Sequence, residues 1–179
     1  MTLKQRLVRI GASRIAGVVL FIILIVLLLK SSQAPAIVEN RPAPDFQATT
    51  LTGQPISLQS LQGKVVLLDF WATWCPPCRM SIPGTEKLYQ KFHRDGFDVV
   101  GVSLDEGGSA MVRDFVKQNG MTYPIVMGVK TTIPADYGVS PIPSFFLIDK
   151  NGRIRWHQDG YSLSTDQNLK QYIRQLLSQ

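Results

Sequence analysis

Thiols and imidazoles are scarce in this chain. Its 179 residues include two cysteines, Cys75 and Cys78, and two histidines, His93 and His157. A bridge between the cysteines closes a loop of only two residues, which adds little loop-closure entropy, so it is poorly placed as a structural staple. A four-ligand zinc site would need every one of these side chains, and they are not arranged as paired CxxC or Cys/His sets. His93 sits between Lys91 and Arg94 at an expected helix end, and His157 on an expected hairpin strand; each reads as a surface residue rather than a ligand. Acids are missing altogether from the first 30 residues, where Lys4, Arg6, Arg9, Arg14 and Lys30 supply +5 of the net charge of +6. From Ser31 onward, 14 basic residues offset 13 acidic ones, so the basic balance belongs to the N-terminus. There is no basic patch with interleaved aromatics, and nucleic acid is set aside as a partner.

One long apolar run is present. Ile15 to Leu29, "IAGVVLFIILIVLLL", has no polar side chain and is bounded by Arg14 and Lys30. As a helix it spans about 22 Å, against a hydrocarbon core of roughly 30 Å. Ile10 to Ser13 and snorkelling of the two bounding cations make up much of the difference. Residues 1–30 therefore read as a signal anchor in the inner membrane. Four positive charges ahead of the span put the N-terminus in the cytoplasm and the rest of the chain in the periplasm or extracytoplasmic space. Ala34-Pro35-Ala36 has the spacing of a signal-peptidase site, so secretion after cleavage is the alternative; the length of the run and the prolines favour a retained anchor. In either case the cysteines work in an oxidising compartment.

Residues 31–42 read as a proline-rich linker and residues 43–179 as one folded domain. Phe46 to Leu51 and Pro55 to Leu58 flank Thr52-Gly53 as a hairpin. Lys64 to Trp71 and Phe97 to Leu104 are short, almost wholly apolar runs, the pattern of strands buried on both faces. Cys75 to His93 predicts a helix, and so does Ser109 to Asn119, with Ser109 as N-cap and Gly120 as stop. Tyr123 to Met127 is a strand, and a short helix follows. Ser144 to Ile148 and Arg153 to His157 flank "KNG" as a second hairpin. The last helix opens on a capping box at Ser164 to Gln167 and shows an apolar face at Leu169, Tyr172, Ile173, Leu176 and Leu177. The alternation implies an α/β fold: a central mixed sheet flanked by helices, with an antiparallel hairpin added late.

The remaining reading of the cysteines is as a reagent. Cys75 follows a buried strand and opens a helix, where free N–H groups and the positive helix end favour a thiolate. Pro76 and Pro77 fit the first turn, whose N–H groups have no helical partner to lose. Cys75 is then the exposed nucleophile and Cys78, one turn on, the resolving thiol. Resolution needs a proton acceptor inside the protein. Asp69, the lone acid in "VVLLDFW", is the candidate, since burial should push its pKa toward neutrality. Pro143 marks the start of a strand, with Pro141 two residues before it. A cis Ile142–Pro143 bond there would leave the Ile142 backbone free to pair with a bound peptide. Trp74, Pro76 and Ile142 would frame the docking groove. No metal and no cofactor beyond the Cys75–Cys78 pair is called for, although copper delivery by a tethered domain stays open on the residues alone.

"DFWATWCPPC" resembles the active-site segment of the thioredoxin fold. Asp69 matches the family's buried acid, Pro83 its helix proline and Pro143 its cis-proline. Within that superfamily the chain is similar to the TlpA/ResA/CcmG group of membrane-anchored thiol–disulfide oxidoreductases. The similarity runs through "APDFQATTLTGQPISLQSLQGKVVLLDFWATWCPPCR", the insertion "FDVVGVSLDEG…VRDFVKQNGMTYPIVMG" and "YGVSPIPSFFLIDKNGRI". It implies a reductase of protein disulfides, in cytochrome c maturation or on other protein thiols, fed by a membrane electron donor of the DsbD or CcdA type. Two positions depart from the group: Ser81 stands where a glutamate is frequent, and Asp69 where many members have asparagine. An oxidant on the same scaffold is one alternative. A Sco-type copper chaperone is another, which the CxxC spacing argues against. A peroxidase motif would place threonine three residues before the cysteine, where this chain has Ala72.

Overall fold

The computed structural model describes residues 39–179. The expected span at residues 15–29 and most of the linker lie outside them; among the described residues no helix is long and apolar enough to cross a membrane. The strands are β1 (Arg41–Pro42), β2 (Gln47–Thr49), β3 (Pro55–Ser57), β4 (Val65–Trp71), β5 (Phe97–Ser103), β6 (Ile125–Met127), β7 (Ser144–Ile148) and β8 (Arg153–Asp159). The α-helices are α1 (Pro76–Phe92), α2 (Ser109–Gln118), α3 (Ile133–Asp136) and α4 (Leu163–Leu177).

Six strands form one sheet in the order β1-β8-β7-β4-β5-β6. β4–β5 and β5–β6 are parallel, while β7 and β8 enter antiparallel. This is the mixed sheet the alternating pattern predicts. All seven residues of β4 and all seven of β5 are buried, because apolar layers cover both faces. Val65, Leu67 and Trp71 face a layer that includes Ile82 and Leu88 of α1, Val112 of α2 and Leu169 and Ile173 of α4. Val66, Leu68 and Phe70 face a second layer with Phe46, Ile133, Tyr137 and Phe146. The hairpin β2–β3 is separate but closes over β6 through a bridge between Thr50 and Val126 and a bond from Leu51 N–H to the Ile125 carbonyl, 2.8 Å.

Three local details differ from the sequence reading. Arg41 and Pro42, expected as linker, pair with Ile154 and Arg153 and so extend the sheet; the pairing depends on a strand more than a hundred residues away, so no local pattern signals it. Helix α2 is entered from Gly108, at φ +90°, and Ser109 is its first helical residue, with no side-chain cap. The last helix begins two residues earlier than expected. Ser162 is the extended N-cap, its side chain meets the N3 backbone, and Thr165 Oγ1 accepts the Ser162 N–H at 3.0 Å.

Gly101 of β5 lies beside Asp69 of β4. A Cβ there would come 2.5 Å from Ile125 Cδ1, 3.0 Å from Trp71 Nε1 and 3.1 Å from Tyr123 Cε2. Gly101→Ala is therefore expected to cost about 1–3 kcal/mol by overpacking, read from urea unfolding; an unchanged midpoint would show that the layer has room to relax.

Candidate active site

The fully buried strand β4 ends at Trp71, and the chain must turn before α1 can start. The turn, Ala72 to Trp74, is fixed from two sides. The Cys75 N–H bonds the Ala72 carbonyl at 3.2 Å, and the Leu104 N–H bonds the Trp71 carbonyl at 2.8 Å. From the end of β5, Asp105, itself 1% exposed, takes the Thr73 N–H at 3.0 Å, the Thr73 hydroxyl at 2.6 Å and the Ser103 hydroxyl at 2.8 Å. The sequence reading did not single out Thr73 or Asp105. The available signal was an acid closing an apolar strand, the argument already used for Asp69.

Cys75 is the N-cap of α1, with Pro76 and Pro77 in the first turn and no acid there. The two sulfurs are joined in a disulfide. The Cys78 N–H donates to Cys75 Sγ at 3.2 Å, so the helix end presents a backbone donor directly to that sulfur. Cys75 is 3% exposed and Cys78 is fully buried. The sequence predicts a plainly exposed nucleophile; instead Cys75 shows only a narrow aperture, because its sulfur lies 3.7 Å from the Ile142 carbonyl oxygen. The Ile142–Pro143 bond is cis, and Pro143 is buried beside the first residue of β7. Trp74 projects at 65% exposure and Pro76 is exposed, on either side of Cys75 in the chain, and Ile142 is half-buried with its carbonyl against the sulfur.

Asp69 is fully buried at mid-sheet, on the face shared with Leu67 and Trp71 and hence under the layer that holds both cysteines. Thr85, two helical turns beyond Cys78 on the inner side of α1, donates to Asp69 Oδ2 at 3.4 Å. Among the described residues Asp69 Oδ1, Trp71 Nε1 and Tyr123 OH have no hydrogen-bond partner. Burial raises the Asp69 pKa from 3.8 to about 7, against a lowering by the Thr85 hydroxyl. Burial, then the nearby Asp69 and Glu86, also push the Tyr123 phenol well above its ordinary value. Ser81, at the position where the group frequently has glutamate, is buried, and its hydroxyl donates to the Cys78 carbonyl at 2.8 Å.

The histidines lie elsewhere. His157 stacks on Phe146 in the opposite apolar layer, within 3.3 Å of Ser144 Oγ and 3.1 Å of Asp159 Oδ1. His93 sits in a short 3-10 turn after α1, beside Tyr89. Among the described residues no group of three or more His, Cys, Asp or Glu side chains is placed to hold a metal ion.

Taken together, the site is a disulfide-bonded cysteine pair at a helix N-terminus, with a peptide segment at its mouth and a near-neutral carboxyl beneath. That equipment suits disulfide exchange. The AhpC/TSA family model matches residues 40–157. The chain is 36% identical over 137 residues to the thiol-disulfide oxidoreductase ResA of Bacillus anthracis, covering 76% of this chain and 78% of that one. It is 42% identical over 127 residues to the thioredoxin-like protein YneN of Bacillus subtilis, with 70% and 74% covered. A solved thiol:disulfide interchange protein DsbE from Chlorobium tepidum superposes with a TM-score of 0.73 at 34% identity, over 79% of this chain and 99% of that one. StoA from Bacillus subtilis superposes with a TM-score of 0.63 at 32% identity, over 72% and 96%. The fold, the Cys75–Cys78 pair and these relatives converge: the chain belongs to the AhpC/TSA family and is a thiol–disulfide oxidoreductase of the ResA/DsbE type.

Proposed function

We propose that the chain is a reductase of protein disulfides that works outside the cytoplasm, held to the inner membrane by residues 15–29. The observation that carries the exchange chemistry is the asymmetry of the two sulfurs, and the reduction potential tests its direction. Cys75 meets a backbone N–H and a narrow opening, while Cys78 is closed off beneath it.

In the reduced protein the Cys75 thiolate attacks one sulfur of a substrate disulfide. A Cys75–substrate bond forms, the substrate disulfide breaks, and the first substrate thiolate leaves. Cys78 then loses its proton to Asp69 and attacks Cys75 Sγ. The second substrate thiolate departs, and the protein is left with the Cys75–Cys78 disulfide, so two electrons have passed to the substrate. The backbone at Ile142 pairs with the substrate peptide during the exchange, while Trp74 and Pro76 supply apolar contact. A membrane donor of the DsbD or CcdA type restores the dithiol, and the haem-binding cysteines of apocytochromes c are one class of substrate.

The test is the reduction potential of Cys75–Cys78 in the full-length protein, by equilibration with glutathione or dithiothreitol. About −270 mV, as for thioredoxin, is the expected region. A value near about −120 mV would make the protein a disulfide donor and overturn the proposed direction.

A further inference from the structure

Among the described residues Asp105 is the one buried acid that bonds the turn leading into Cys75, and the exchange chemistry above makes no use of it. Its two carboxylate oxygens are held by the Thr73 N–H, the Thr73 hydroxyl and the Ser103 hydroxyl, and its own N–H meets Ser103 Oγ at 3.2 Å. Such a network fixes the group in place and keeps it from swinging to solvent. Thr73 and Cys75 are two residues apart, so their Cα atoms are within roughly 7 Å. The Asp105 carboxyl is therefore tied to the turn two residues ahead of the reactive sulfur.

The other charged groups around Cys75 are less well placed to act on it. Arg79 follows one turn later on α1, and its guanidinium is drawn away over the Phe115 ring of α2, 5.9 Å from the centroid. Glu106 is exposed and screened by water. Asp69 lies below, beside Thr85. From the segment before β7, Val139 to Pro143, no charged side chain faces the sulfur.

We propose that Asp105 is a positioning residue: its carboxylate holds the Thr73–Cys75 turn in place and, by its charge, opposes the Cys75 thiolate, making the dithiol pair more reducing than the helix N-terminus alone would. The inference rests on the reading of Cys75 as the attacking thiol. A stabilised thiolate makes a pair more oxidising, so removing an opposing negative charge must raise the potential. Both groups are buried, Asp105 at 1% and Cys75 at 3% exposure, and one charge at this range changes thiolate stability by about tenfold or more.

Asp105→Asn keeps the shape and removes the charge. The expected result is a shift of the glutathione equilibrium toward the dithiol form by about tenfold, or about 30 mV. Alkylation of Cys75 by iodoacetamide at pH 7 should quicken with it. Thr73→Val removes one donor but leaves the charge, and should leave the potential unchanged or lower. A folded Asp105→Asn protein with the wild-type potential and alkylation rate would overturn the proposal. So would a Thr73→Val protein whose potential rises as far as that of Asp105→Asn, since the effect would then be one of turn geometry. Should Asp105→Asn not fold, Thr73→Val decides: a raised potential overturns the proposal, and an unchanged or lowered one supports it. The wild-type potential judges the direction of exchange separately, because only differences between variants bear on Asp105.

Discussion

Asp69→Asn is expected to stabilise the oxidised protein at pH 8 by about 4 kcal/mol while slowing release of the mixed disulfide about a hundredfold. The first effect follows from linkage. The carboxyl ordinarily titrates at 3.8 and in the fold at about 7, so between those values the folded state holds a proton that the unfolded state has lost. Stability then falls as pH rises through that window, and the loss is complete above pH 7, at 1.36 kcal/mol per pH unit. Asparagine has no such penalty. The gap between the two proteins should be small at pH 4 and grow to its full size by pH 8, measured by urea unfolding of the disulfide form, in which neither cysteine titrates. A gap of constant size would mean that Asp69 is not held protonated by burial. The second effect follows from the loss of a positioned base, commonly worth 10²–10⁴ in rate. Single-turnover release at pH 7 measures it, and a wild-type rate in Asp69→Asn would remove Asp69 from the proton path.

Cys78→Ala should abolish turnover and accumulate a one-to-one adduct with a disulfide substrate, whereas Cys75→Ala should lose turnover without any adduct. The difference in access predicts this split. Cys75 has a 3% opening beside the Ile142 carbonyl, and Cys78 has none. Mass spectrometry of the reaction under non-reducing conditions reads the outcome directly. An adduct on Cys78 in Cys75→Ala would reverse the assigned roles. Neither substitution should cost much stability through loss of the crosslink, because the loop it closes is only two residues long.

Much of this site could be read from the chain because the relevant signals are local. Seven consecutive apolar-dominated positions announced β4, and the one acid among them stood out for that reason. The Pro76-Pro77 pair marked the start of α1 and so placed Cys75 at its N-cap. What escaped depends on contacts between distant residues. Thr73 and Asp105 are 32 positions apart, and nothing near either one names the other. Tyr123 matters to Asp69 only because Gly101 leaves space for its ring over the sheet. Arg41 and Pro42 are a strand only because β8 lies next to them. The capping box slipped by two residues because both Ser162 and Ser164 suit an N-cap, and only the extended backbone at Ser162 selects between them.

The two margins of the main sheet have a consequence for an enzyme whose substrates are protein thiols. One margin is the two-residue β1, whose Pro42 has no N–H to offer; the other, β6, is shut by the bridge from Thr50 and the bond from Leu51. A client polypeptide bristling with unsatisfied backbone groups therefore meets little here to zip onto, and neither would a neighbouring copy of this domain. On the proposed docking of substrate at Ile142, pairing would fall to that short segment, whose carbonyl oxygen lies 3.7 Å from Cys75 Sγ. Contact and chemistry would then coincide, and a client could leave once its bond has been exchanged instead of seeding a growing stack of strands.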